Sequence, residues 1–128
     1  MDVYDAKLYA DEGRWSPGQP LALEFSYLRN LKGSSIADSS IEEIRKQGFA
    51  DELRLAAWHE QMSKIFPDVK KGVILTGILT EDGQTVFYKD GTEIGHIKDP
   101  EFGRAFFNIW LDQKTSDPAL RKKLLGQS

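Results

Sequence analysis

Hydroxyl and guanidinium groups near predicted strands are the side chains of this sequence that could recognise a polar ligand. Tyr4, Thr76 and Tyr88 lie in segments rich in β-branched and aromatic residues, and Arg29 directly follows another such segment. A phenol or hydroxyl donates a hydrogen bond to a carbonyl oxygen, and a guanidinium pairs with an anion. Tyr and Thr are also ordinary strand formers, so the alternative is that they only pack the sheet and that Arg29 is solvated.

A second candidate feature is an aromatic face on a predicted helix near the C-terminus. Asp99-Pro100 opens this helix. Its apolar residues recur at positions i, i+3, i+4, i+7 and i+8, namely Phe102, Ala105, Phe106, Ile109 and Trp110. Amphipathic helices usually bury such a face in the core. Phe106 and Trp110 can instead form the wall of a cleft, and both interpretations can hold for different residues of one helix.

The composition removes several classes of chemistry. The sequence has no cysteine, and neither His59 nor His96 has a second ligand at metal-binding spacing. Motifs of the Gly-x-Ser-x-Gly, P-loop and Gly-x-Gly-x-x-Gly types are absent. The formal net charge of -3 is made of mixed signs without a basic stripe that could follow phosphates. We therefore expect no cofactor, no metal site and no nucleic-acid partner.

The N-terminal half shows two strand patterns followed by two helix patterns. Apolar residues repeat with a period of two in residues 3–10 and 21–27, which predicts half-buried strands. Ser35-Ile36-Ala37-Asp38 fits a capping box, so we expect a first helix to begin there and to end at Gly48. A second helix is predicted over about residues 51–66. Its apolar residues share one face, namely Leu55, Trp58, Met62 and Ile65.

The C-terminal half returns to strands and then to helices. Residues 72–97 are β-branched and aromatic, with hairpin turns at Glu81-Asp82-Gly83 and Asp90-Gly91, which predicts three antiparallel strands. Asp117-Pro118 opens a last short helix after the aromatic one. This order predicts an α+β fold in which an antiparallel sheet is packed by a layer of helices. The 128 residues are expected to form one domain, residues 1–128, with no membrane span.

Three segments of the C-terminal half together resemble the bacterial chalcone isomerase-like proteins. They are Gly72-Val-Ile-Leu-Thr-Gly-Ile-Leu, Phe87-Tyr-Lys-Asp-Gly-Thr-Glu-Ile-Gly-His-Ile, and Asp99-Pro-Glu-Phe-Gly-Arg-Ala-Phe-Phe-Asn-Ile-Trp-Leu. The opening Val3-Tyr4-Asp5-Ala6-Lys7-Leu8-Tyr9 and the segment Tyr27-Leu28-Arg29-Asn30 are also similar to that family. The resemblance implies the chalcone isomerase-like fold, with an apolar cleft between sheet and helices.

The sequence departs from the family pattern in three ways. Residues 3–10 resemble the family's second core strand, so a preceding strand or signal segment, and the arginine that the enzymes and fatty-acid binders keep there, are expected to be missing. Asp112 stands where the family often has glycine after Ile-Trp-Leu. The enzymes' Tyr, Asn and Thr set has no assigned positions in this sequence.

The sequence is compatible with three functions. The first is non-catalytic binding of an apolar or amphipathic small molecule, a fatty acid or a polyphenol, at a site that includes Tyr4, Arg29, Thr76, Tyr88, Phe106 and Trp110. The second is a cofactor-free intramolecular lyase acting on chalcone-like substrates, so whether the chain is an enzyme is undecided. The third is a scaffold or partner-binding domain without a pocket.

Two further expectations concern assembly and location. A missing first strand leaves a free sheet edge, through which homodimers can form. The family analogy implies a periplasmic protein if a signal peptide has been removed, and a cytoplasmic protein otherwise.

Overall fold

A computed structural model describes residues 3–126 of the chain. Within these residues the chain forms five strands and four α-helices, which confirms the predicted α+β class. The strands are β1 (Tyr4–Ala10), β2 (Leu21–Tyr27), β3 (Ile74–Leu79), β4 (Thr85–Lys89) and β5 (Thr92–Ile97). The helices are α1 (Gly33–Lys46), α2 (Glu52–Ile65), α3 (Pro100–Leu111) and α4 (Pro118–Leu124).

The five strands form one antiparallel sheet in the order β1-β2-β3-β4-β5. Side chains on β2 alternate between buried and half-buried, as the period-two pattern predicted. The buried set of β2 defines the inner face of the sheet, which the helices cover: Leu21, Leu23, Phe25 and Tyr27. The opposite face is called the outer face. On β1 the buried Ala6 belongs to the inner face, while Asp5 and Lys7 are exposed on the outer face.

The predicted capping box at Ser35 is wrong, because α1 begins two residues earlier. The side chain of Lys32, at the N-cap position, makes no capping hydrogen bond. Instead, the backbone N–H of Gly33 donates to Asp68 Oδ1 at 2.9 Å, from a loop 35 residues away. A Cβ atom at position 33 would overlap the backbone of Phe66, so only glycine allows this close approach. Long-range contacts therefore set the start of α1.

The aromatic helix α3 begins and packs as its sequence predicted. Pro100 occupies the first turn, and Asp99 Oδ1 accepts a hydrogen bond from the backbone N–H of Glu101 at 3.0 Å. The second oxygen of Asp99 accepts from Trp58 Nε1 at 3.2 Å, which ties α3 to α2. The apolar face of α3 then lies against the sheet, with Phe102, Phe106, Phe107, Ile109 and Leu111 buried.

The longest helices in the described part of the chain have 14 residues. None of the helices in residues 3–126 is long and apolar enough to cross a membrane.

Candidate functional site

A cavity of about 300 Å³ lies between the inner face of the sheet and helices α1 and α3. Strands β1 to β4 form its floor, and Ile36 on α1 and Ile109 on α3 close it from the helix side. Gly77 contributes to the floor because it has no side chain to fill the space between its neighbours Leu23 and Phe87. This volume is at the lower end of the range for small-molecule sites.

Aromatic rings make up most of the cavity wall. The Phe25 and Trp110 ring centroids lie 4.8 Å apart, and the Trp110 ring lies 5.2 Å from Phe106. Phe87 continues this wall towards Phe66, with 5.4 Å to the Phe106 centroid and 4.9 Å to the Phe66 centroid. Most of these pairs meet edge to face, which holds the rings in fixed orientations. The wall is therefore a rigid apolar surface suited to a hydrocarbon or an aromatic ligand.

The hydroxyl group of Tyr4 is the best-placed donor in the cavity. Trp110 Nε1 donates a hydrogen bond of 2.8 Å to the Tyr4 oxygen, so the Tyr4 O–H stays available to donate to a ligand. Burial raises the pKa of Tyr4. The pKa of Tyr27 is also raised, mainly by burial and to a smaller extent by electrostatic repulsion from Tyr4. Both phenols are consequently neutral near pH 7. Each phenol therefore keeps a proton that it can donate to a hydrogen-bond acceptor.

Charged and polar residues lie around the mouth of the cavity. Arg29 is exposed there, and in residues 3–126 its guanidinium has no carboxylate within salt-bridge distance. Glu43 also borders the cavity, but its oxygens accept from Ser116 Oγ at 2.6 Å and pair with Lys46 Nζ at 3.7 Å. The unpaired group at the mouth is thus cationic, which favours a ligand with an anionic head group.

The structure brings together most of the residues that the sequence singled out. Tyr4, Arg29, Phe106 and Trp110 all line the cavity. Thr76 also borders the cavity through its backbone position, but it pairs with Glu24 on β2 and Tyr88 on β4. Because Glu24 lies between two inner-face residues of β2, the Thr76 side chain lies on the outer face. Tyr88 does not line the cavity. The hydroxyls of Thr76 and Tyr88 therefore lie outside the candidate site.

Sequence reasoning missed the contribution of α1 to this site. Ser35, Ser39 and Ser40 line the cavity from one side of that helix. Ser40 is buried and its Oγ donates to the Ile36 carbonyl at 2.8 Å, which satisfies the hydroxyl within the helix. The signal in the sequence was the run of small residues at helical spacing. These residues leave little side-chain volume on that face of α1.

No group of three or more His, Asp or Glu side chains is placed to hold a metal ion between residues 3 and 126. The site consists instead of an apolar cavity, a phenol donor and a cationic mouth.

Comparison with known proteins identifies the family. Residues 1–126 match the model of the family described as chalcone isomerase-like. An uncharacterized protein of Haemophilus influenzae is 30% identical over 127 residues, a match that covers 98% of this chain but 62% of that relative, so the chain spans less than two thirds of its length. The crystal structure of an Arabidopsis thaliana fatty-acid binding protein has the same fold, with a TM-score of 0.73, 13% identity, and coverage of 98% of this chain and 77% of the other. The chain belongs to the chalcone isomerase-like family, as the resemblance of its motifs indicated.

Proposed function

We propose that the chain binds one amphipathic small molecule, with a fatty acid as the leading candidate, in the cavity between the sheet and helices α1 and α3. The observation that carries the proposal is the combination of an aromatic cavity of about 300 Å³, a Tyr4 hydroxyl free to donate inside it, and Arg29 at its mouth. The structural neighbour described as a fatty-acid binding protein supports the choice of ligand class.

The apolar wall supplies most of the binding free energy in this proposal. Each buried methylene group contributes about 0.8 kcal/mol, so two further methylenes strengthen binding about tenfold while the cavity still has room. The Tyr4 hydroxyl donates to a ligand oxygen, and Arg29 pairs with the carboxylate. Because Arg29 is exposed, its charge contributes less than a buried pair would and its effect is weakened by salt.

The test is a set of binding measurements by native mass spectrometry and calorimetry with octanoate, decanoate and dodecanoate, beside the uncharged dodecanol. We expect one ligand per chain and an affinity that rises with chain length. Arg29→Gln is expected to weaken dodecanoate binding about threefold at low salt and to leave dodecanol binding nearly unchanged. Arg104→Gln is the matched control, because Arg104 is exposed on α3 and does not line the cavity.

A variant that fills the cavity separates this site from surface adsorption. Ile36 is partly buried on α1 and lines the cavity, so Ile36→Trp is expected to abolish binding of both dodecanoate and dodecanol while the protein still unfolds cooperatively. Binding that survives in Ile36→Trp, or the absence of any fatty-acid binding by the unmodified chain, would contradict the proposal.

The second candidate function is the intramolecular cyclisation of a chalcone-like substrate. The observation that favours it is the hydrogen bond from Trp110 Nε1 to the Tyr4 oxygen, which polarises the Tyr4 O–H and makes it a stronger donor to a substrate carbonyl. The change in absorbance of a chalcone solution measures the reaction directly. Turnover that is lost in Tyr4→Phe, with substrate binding retained, would establish catalysis; binding without turnover would leave the chain a binding protein.

A further inference from the structure

The floor of the cavity changes abruptly between strands β3 and β4. Gly77 on β3 has no side chain, and its register partner on β4 is Phe87, which is 3% exposed. A Cβ atom at position 77 would lie 3.4 Å from Cε1 of Phe87, so this ring lies directly beside the open space over Gly77. The open part of the floor therefore ends at the Phe87 ring.

The rings around Phe87 continue this barrier towards the helices. The Phe87 ring meets Phe66 edge to face at 4.9 Å between centroids, and it meets Phe106 in the same way at 5.4 Å. Both of these partners line the cavity. The Phe87 ring also lies 6.4 Å from the ring of Phe102, which is fully buried and does not line the cavity. Phe87 consequently separates the cavity from the packed core behind it.

The sheet beyond Phe87 is covered by helix α2. Gly95 on β5 lies opposite Phe87, and a Cβ atom there would lie only 2.7 Å from Ile65 Cγ1. The Ile65 side chain at the end of α2 is therefore packed directly onto β5. Within residues 3–126, neither Ile65 nor any residue of β5 lines the cavity. Protein atoms fill the space behind Phe87, so the cavity has its inner end at this ring.

The polar groups of the cavity lie at the opposite end from Phe87. Tyr4 belongs to β1 and Arg29 follows β2, whereas Phe87 belongs to β4. Neighbouring strands are about 4.8 Å apart, so β1 and β4 are about 14 Å apart across the sheet. A carboxylate bound by Tyr4 and Arg29 would direct its hydrocarbon chain across β2 and β3 towards Phe87. Carbon atoms for which this path has no room stay outside the apolar wall and gain no burial.

We propose that Phe87 sets the longest hydrocarbon chain that the cavity accepts, because its ring closes the inner end. This inference rests on the proposed function and assigns the length specificity of the same site to one residue. Two further methylenes strengthen binding about tenfold until the chain reaches Phe87, and methylenes beyond that limit add less than about twofold. A smaller side chain at position 87 moves the limit to longer chains, since close-packed neighbours collapse only in part into the space of a lost ring.

The test is calorimetry with the even-numbered straight-chain carboxylates from octanoate to octadecanoate, each below its critical micelle concentration. For the unmodified chain, the gain in affinity with length is expected to end before hexadecanoate. Phe87→Ala is expected to move this limit by about two to four carbon atoms towards longer chains. Phe87→Val is expected to move the limit in the same direction by less. Valine suits a strand, so this variant provides the measurement if Phe87→Ala does not unfold cooperatively in urea.

Phe102→Ala is the matched control, because it removes a ring of the same size from behind Phe87. It is expected to lower stability and to leave the length limit unchanged, since Phe87 still separates the new space from the ligand. Absence of carboxylate binding by the unmodified chain would overturn the proposed function and this inference together. Binding without a length limit, a limit that is unchanged in the Phe87 variants, or an equal shift in Phe102→Ala would overturn this inference alone.

Discussion

The space between the sheet and the helices has two ends that are packed very differently. At the closed end, Trp58, Met62 and Phe102 are at most 1% exposed, and the Trp58 and Phe102 ring centroids lie 5.5 Å apart. At the open end, Tyr4 and Trp110 are only partly buried around the cavity of about 300 Å³. Helix α3 belongs to both ends, since it carries Phe102 near its start and Trp110 near its end.

The difference between the two ends follows from the helices that cover them. Helix α2 places large side chains over the closed end, whereas α1 presents Ser35, Ser39 and Ser40 to the cavity at the open end. Small residues leave a gap that large ones would fill. Stability and ligand binding are therefore assigned to different residues of one core, and substitutions at the two ends are expected to separate them.

The largest expected effect is the loss of stability in Phe102→Ala. Phe102 is fully buried, stacks on Phe106 with 5.4 Å between the ring centroids, and does not line the cavity. Removing the ring should lower the free energy of unfolding by about 3–5 kcal/mol, measured by urea denaturation. Ile36→Ala at the open end is the comparison. Ile36 already faces the cavity, so its truncation should cost less than half as much, and equal losses would contradict the division of the core.

Sequence patterns predicted the strands and helices of both ends, but not which of the two ends stays open. The alternation of Leu21, Leu23, Phe25 and Tyr27 and the spacing of the α3 aromatic residues depend on local periodicity, and both were confirmed. The strand β3 reads Ile-Leu-Thr-Gly-Ile-Leu, which is apolar on both faces. Nothing in such a run marks the inner face, so the orientation of Thr76 could not be predicted, nor could that of its partner Tyr88.

Long-range contacts account for the rest of what the sequence did not show. The start of α1 depends on Asp68 and Phe66, more than 30 residues further along the chain, and no local pattern records them. The cavity likewise depends on Gly77 of β3 and on the serines of α1, which line it from elements far apart in the sequence. Four of the six proposed ligand residues lie where a ligand could meet their side chains. Their residue types indicated chemistry, while their positions required the register of the sheet.

A smaller effect of opposite sign is expected for Thr85→Val at the closed end. Thr85 is fully buried, and its Oγ1 atom has no hydrogen-bond partner in the described part of the chain. A buried hydroxyl without a partner costs free energy that an apolar group of similar size avoids. Thr85→Val should therefore raise the free energy of unfolding by about 1–2 kcal/mol in the same urea experiment. Thr85→Ser keeps the hydroxyl and removes a methyl group, so a gain in stability there would refute this explanation.

The smallest expected effects come from adding one methyl group at each end, by replacing one glycine there with alanine. A Cβ at Gly103 would lie 2.8 Å from Leu79 Cδ1 and 3.0 Å from Thr85 Oγ1, whereas a Cβ at Gly77 would meet the rings of Phe107 and Phe87 at 3.4 Å. Crowding at the closed end should outweigh the better helix propensity of alanine, so Gly103→Ala should lower the free energy of unfolding by about 1 kcal/mol. Gly77→Ala should raise it by about 0.5 kcal/mol, because alanine loses less backbone entropy in a strand and the cavity beside it has room. Thermal denaturation of the two variants measures both changes, and a shift of the same sign in both would mean that the open end is packed as tightly as the closed one.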